Sequence, residues 1–258
     1  MSTSSITKTV VPVALHHGRM GSSALMGLLR LAGLNVGDDS RLTGSHPMNP
    51  KGFLELRSQN IFLEVAYPEV YPKVVSPPSI DDVRRAGRQH ADAYRKFLYH
   101  EFGHNFPIAL KAPRLLTLPF LHELNDEFDT RVLLLTRDQD NHVASIQRVW
   151  SDLDDPAKSE ASTADIRSFL DEWADFRDRL LDAYAFEVHT VPFDDLNYRP
   201  HEVMDGVSAF LDVPHPSAEA IDDWIDPSLA NRDELAMPDA NDGFVRRAVR
   251  RVRNLLQS

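Results

Sequence analysis

The 258-residue chain contains no cysteine. Disulfides, thiolate-held metals and cysteine nucleophiles are thereby excluded, and a reducing compartment suits such a chain. An excess of basic charge is also missing: 28 Lys and Arg stand against 39 Asp and Glu, for a formal net charge of −11. General binders of nucleic acid or anionic membranes work through a basic field, so this balance argues against both classes. An acidic protein can still hold an anion locally. Long apolar runs are absent too. The first run, Val10 to Leu15, is strand-sized, far short of the roughly 20 residues that cross a bilayer. The polar MSTSSITKT before it has no signal-peptide character. The expectation is a soluble, cytoplasmic protein without a membrane span or a nucleic-acid partner.

What is present has the balance of an ordinary globular protein, 42% apolar and 26% charged. We expect a single domain over residues 1–258. Short apolar runs rich in branched residues alternate with longer stretches of helical period, the pattern of β-α units feeding a mainly parallel sheet. Strands are expected at Val10–Leu15, Ile108–Lys111, Val132–Thr136 and Val188–Val191. Helices are expected near 22–33, 57–66, 80–103, 114–125, 139–150, 163–184 and 201–211, with Ser79 and Ser162 or Thr163 as N-caps. The turn-rich stretch Gly37 to Phe53 reads as a long loop, and long ordered loops are often functional.

The densest chemistry lies at VVPVALHHGRMGSSALMGLLRLAG, which runs from an apolar strand through Gly18, Arg19, Gly21, Ser22 and Ser23 into an apolar helix. Glycines let a backbone turn tightly and approach a ligand, and the amides at a helix start point partial positive charge at an anion. Serine hydroxyls add donors, and the planar fork of Arg19 matches phosphate or sulfate oxygens. A serine-capped glycine turn with no ligand is the plain alternative. A Walker A loop would carry lysine before its hydroxyl residue. Here Ser22 follows Gly21 directly and an arginine stands three positions earlier, so ATP or GTP hydrolysis loses its usual parts. The fold class expected is α/β, a P-loop-like three-layer arrangement with a central, mainly parallel sheet flanked by helices.

A second constellation follows the run Val132 to Thr136, which ends at Arg137 and Asp138 and is followed eight residues after Arg137 by Ser145. In a parallel sheet the C-terminal strand ends share one edge, so Arg137 can reach the crevice of Arg19. At this point the chain resembles the sulfotransferase family, enzymes that use 3'-phosphoadenosine 5'-phosphosulfate. Their first motif is a strand, a loop of the type R-S-G-T-[ST] and a helix; their second is a strand followed by arginine and, eight residues on, serine. Asn49-Pro50-Lys51-Gly52-Phe53-Leu54-Glu55 is similar to the N-P-x-G-[FY]-x-E segment of bacterial carbohydrate-type members, and Leu110-Lys111-Ala112-Pro113-Arg114 to their L-K-x-P-R element. Met20 departs from the usual serine, Ser22 from threonine, and the family's C-terminal glycine-rich loop with lysine is not evident.

The resemblance implies a donor co-substrate and roles residue by residue. Arg19 with Gly18, Gly21, Ser22 and Ser23 would hold the 5'-phosphate end, and Arg137 and Ser145 the 3'-phosphate. Lys111 would meet the sulfuryl oxygens, Glu55 would act as base toward a glycan or small-molecule hydroxyl, and no metal is demanded. A first-turn surface carboxylate is the alternative for Glu55; His46 and His17 are reserve bases.

Other features compete. His100-Glu101-Phe102-Gly103-His104 matches the zinc pattern H-E-x-x-H, but Gly103 and the Asn105-Phe106-Pro107 that follow are poor company for a rigid helix. A P-loop small-molecule kinase would share the strand, loop and helix, and an inactive nucleotide-binding relative would share the fold. Trp173 and Phe176 are candidates for a cleft wall, with core as the commoner fate. The arginine-rich GFVRRAVRRVRNLLQS reads as a helix with one apolar stripe and basic flanks.

Overall fold

The computed structural model describes residues 8–16, 18–44, 51–68, 76–113, 115–151 and 156–226. Four strands, β1 (Thr9–His16), β2 (Leu110–Pro113), β3 (Phe128–Thr136) and β4 (Glu187–Pro192), form one sheet in the order β2-β1-β3-β4. Every pairing is parallel. Ten helices accompany them among the described residues: α1 (Ser22–Leu31), α2 (Arg57–Ala66), α3 (Ile80–Phe102), α4 (Leu118–Glu123), α5 (Gln139–Ser151), α6 (Pro156–Ser159), α7 (Thr163–Tyr184), α8 (Phe193–Tyr198), α9 (Pro200–Leu211) and α10 (Ala218–Trp224). The expected parallel sheet flanked by helices is thus the fold. Parallel strands need crossovers, and helices supply them while covering the sheet.

Local sequence explains the central strand. Val11, Val13, Ala14 and Leu15 of β1 are fully buried, as a strand covered on both faces requires. Pro12 lies one residue before pairing with β2 begins at Val13, while β3 pairs from Thr9 onward. Its missing N–H therefore falls just outside the doubly paired stretch, where a sheet tolerates proline.

Helix starts follow the expected chemistry. Ser79 accepts a hydrogen bond from the amide of Asp82 at the head of α3, and Ser162 forms a reciprocal capping box with Asp165 at the head of α7. Between α2, α3 and α4 an aromatic cluster fills the core, with the Phe62 ring 5.2 Å from Tyr94 and 5.4 Å from both Phe97 and Phe120. Trp173 and Phe176 are 1% and 0% exposed, which makes them core residues and removes them as cleft-wall candidates. Apolar spacing on α7 buries Ile166, Leu170, Trp173, Phe176 and Leu180 along one face. No described helix is long and apolar enough to cross a membrane.

Sheet order sets the place of a site. β1 lies between β2 and β3, so the chain passes from one side of β1 to the other after β2, and such reversals open a crevice beyond the C-terminal strand ends.

Candidate functional site

The site grows from the end of β1. Between His16 and Ser22 the chain must leave the sheet and enter α1, and it turns through Gly18, Arg19 and Gly21 at φ 83°, 57° and 77°. Glycine adopts this left-handed region freely, whereas a residue with a Cβ resists it. Arg19 is held there by its surroundings: Arg137 Nη1 donates to its carbonyl at 2.7 Å, and its own Nε donates to Ser145 Oγ at 3.3 Å. Met20 is only 6% exposed and packs into the core, so an apolar anchor fixes the loop where the resembling family carries serine. Gly21 is the N-cap of α1 and brings no capping side chain. The first-turn amides are therefore presented to whatever anion enters. A Cβ on Gly21 would lie 2.9 Å from the Phe193 ring, which shows how tightly α8 closes on the loop.

Two further strand ends complete the arrangement. Arg137, just past β3, lays its guanidinium over the Phe193 ring at 4.1 Å from the centroid. Its Nε is buried without a partner among the described residues, the kind of orphan donor that asks for an anion. Lys111 of β2 is 5% exposed, and its ammonium donates to Ser23 Oγ at 3.0 Å, the Phe53 carbonyl at 2.7 Å and Glu55 Oε1 at 2.9 Å. An ammonium has three hydrogens, so Lys111 reaches a ligand only by releasing one of these partners.

Gly18, Arg19, Gly21, Ser22, Ser23, Lys111, Arg137 and Glu55 all line one cavity of about 340 Å³. Ser145 does not line it; the hydroxyl is buried behind Arg19. Electrostatics single out this corner of an acidic protein. Burial, then the neighbouring Arg148, lowers the Arg19 pKa; burial, then Arg19, lowers that of Arg137, while Asp194 and Asp138 pull back from a distance. Lys111 is lowered by burial, and Glu55 opposes the shift. Cations crowded and desolvated in this way favour an anionic ligand.

Several lining residues escaped the sequence. Phe193 and Asn197 belong to α8, and Trp224, Ile225 and Asp226 to the end of α10. The signal for α8 was present in Pro192 followed by two aspartates in a first turn. Trp224 reaches across to α1, where its Nε1 donates to the Ala24 carbonyl at 2.8 Å. Its ring stands where a Cβ on Gly27 would be, 1.9 Å away, so only glycine fits there. Lys51 donates to the carbonyls of Asp223 and Trp224 and lies 5.1 Å from the Trp224 ring.

The zinc pattern dissolves in the fold. α3 ends at Phe102, Gly103 turns at φ 62°, Glu101 pairs with Arg41 at 3.4 Å, and the His104 ring lies 5.1 Å from that of Tyr99. The two histidines therefore do not follow one another along a helix, and no cluster of metal-ligating side chains occurs among the described residues. The reserve bases His17 and His46, along with Asn49, Pro50, Arg114 and the arginine-rich segment, lie outside the described residues.

No protein-family model matches the chain, and no curated protein matches it. Two solved structures resemble it over nearly their whole length. One is the sulfotransferase domain from the Synechococcus PCC 7002 olefin synthase, with 15% identity, 97% of each chain covered and a TM-score of 0.47. Another is the sulfotransferase domain from the curacin biosynthetic pathway, with 13% identity, 98% of this chain and 99% of that chain covered, and a TM-score of 0.42. At such identity the chemistry of the site rests on its own residues.

Proposed function

We propose that the cavity binds 3'-phosphoadenosine 5'-phosphosulfate and that the protein is a sulfotransferase acting on a hydroxyl of a carbohydrate or small metabolite. The observation that carries this reading is the convergence on one cavity of Arg19, Arg137, Lys111 and the start of α1. Neither arginine has a carboxylate within ion-pair distance among the described residues, and Arg137 Nε is an orphan buried donor. A ligand with two separate anionic groups answers both. The order of motifs, a lysine-free loop followed by arginine and a serine eight residues on, supports the sulfuryl donor over ATP.

When bound, such a donor supplies a sulfuryl group on a stable phosphate leaving group. Arg19 and the amides of Gly21, Ser22 and Ser23 neutralise charge that grows on the leaving oxygen. Arg137 holds the second anion, and Ser145 orients Arg19 from behind by accepting a hydrogen bond from its Nε. Lys111 fixes Glu55 and Ser23 at the mouth of the loop, so that Glu55 presents its other carboxylate oxygen to an acceptor hydroxyl and takes its proton. Positioning of this kind supplies much of the rate in group transfer.

Titration calorimetry with adenosine 3',5'-bisphosphate, followed by a transfer assay with the sulfuryl donor against a panel of hydroxyl acceptors, tests the reading. Binding of the bisphosphate with donor-dependent product is expected. Magnesium-dependent ATP turnover with no bisphosphate binding would establish a kinase instead.

A further inference from the structure

His142 belongs to α5, three residues before Ser145 and therefore on the same helical face. It is 3% exposed, and its Nε2 lies 3.0 Å from the Gly18 carbonyl oxygen. Nothing in the proposed chemistry uses it. Its neighbours Val143 and Ile146 pack into a small apolar cluster with Ile166 and Leu170 of α7, so the backbone that carries His142 is fixed from behind.

The contact falls on the most unusual backbone of the site. Gly18 and Arg19 are consecutive left-handed residues, and such geometry persists only where the surroundings determine it. Their two carbonyls are each taken: that of Arg19 by Arg137 and that of Gly18 by His142. A carbonyl oxygen turned toward an anion repels it, whereas successive amides form an anion-holding concavity. Engaging both carbonyls from the β3–α5 side removes them from the ligand side.

The partner of a carbonyl must be a donor, which requires hydrogen on Nε2. Burial first, with Arg137 and Arg19 adding to it, lowers the His142 pKa to about 4, against the opposing bond to Gly18. At neutral pH the ring is then an uncharged donor. It holds the loop without adding a third positive charge that would need its own counter-ion.

We propose that His142 is a positioning residue for the anion loop, its Nε2–H locking the Gly18 carbonyl away from the cavity so that Arg19 and the following amides face the ligand. This rests on the anion site proposed above, and three measurements separate the two ideas. First, two-dimensional ¹H–¹⁵N imidazole spectra of the wild-type protein are expected to show His142 with hydrogen on Nε2. A ring with hydrogen on Nδ1 alone overturns the role without any variant being made. Second, hydrogen exchange of the amides from Gly18 to Ser23 is expected to accelerate in His142→Leu and to return toward wild type in His142→Gln, whose amide can donate from the same reach. Third, affinity for adenosine 3',5'-bisphosphate is expected to fall about tenfold in His142→Leu, the range for leaving one buried acceptor unmet, and to recover to within about threefold in His142→Gln. Unchanged loop exchange in a folded His142→Leu protein overturns the inference, as does equal loss in the Leu and Gln variants. Failure of the wild-type protein to bind the bisphosphate counts against the proposed function alone, because the tautomer and exchange measurements still decide what His142 does.

Discussion

The two ends of the cavity handle positive charge in opposite ways. At one end Arg19 and Arg137 are bonded to neutral partners, a serine hydroxyl and a backbone carbonyl, so their charge remains available to a ligand. At the other, Lys111 is tied to the Glu55 carboxylate as well as to Ser23 and Phe53, so its charge is already answered. Net cation at one end and a matched pair at the other is what binding an anion next to a proton acceptor demands. A lysine left uncompensated beside Glu55 would compete for the same anion, and a carboxylate beside Arg19 would repel it.

Breaking the matched end should have the largest effect on turnover. Glu55→Gln is expected to bind adenosine 3',5'-bisphosphate normally while kcat falls by about 10² to 10⁴, the usual worth of a general base; calorimetry and steady-state rates on the same sample check it. A fully active variant would move the base elsewhere and leave Glu55 as a partner for Lys111 only. At the uncompensated end, Arg137→Ala is expected to weaken the bisphosphate by roughly 100-fold, since charge-assisted bonds to phosphate are the strong ones. Unchanged affinity would show that the second anion does not sit there.

Acid sharpens the contrast through His142. Its folded pKa, about 4, lies below the unfolded value of 6.5, so between these limits the unfolded chain binds more protons. Stability from the neutral ring is fully present well above pH 6.5 and declines as pH falls through 6.5 toward 4. The wild-type protein should lose roughly 1 to 2 kcal/mol more than His142→Gln between pH 6.5 and 5, by chemical denaturation at each pH, the slope building from half its full value of about 1.4 kcal/mol per unit. Smallest is Ser145→Ala, which removes only the hydroxyl behind Arg19. It should weaken bisphosphate binding about three- to tenfold, as one neutral hydrogen bond is worth. A 100-fold loss would bring Ser145 into direct contact with the ligand.

Much of this layout was legible because it rests on short-range chemistry. The four strands, the caps at Ser79 and Ser162 and the loop from Gly18 to Ser23 each follow from a few consecutive residues. The expected helices at 57–66 and 163–184 coincide with α2 and α7. What escaped is long-range or brief. α8 and α10 have six and seven residues, too few turns for apolar period to register. The place of Trp224 depends on Gly27, and a helical glycine says only that something approaches closely, not what. Ser145 shows a subtler gap: spacing put it near Arg137, but the rotation of α5 aims its hydroxyl at Arg19. Trp173 and Phe176 were candidates for a wall with core the commoner fate, and packing places them in the core.

One contact bears on how the site comes into being. Trp224 Nε1 meets the Ala24 carbonyl across 200 positions of sequence. The loop from Gly18 to Ser23 and the wall that shapes the cavity beside it come from opposite ends of the described chain. Contacts this distant close late, because loop-closure entropy must be met before they reward the chain. Until α10 docks, the cavity beside this loop lacks one side, so the binding competence proposed for it is expected to arrive late in folding.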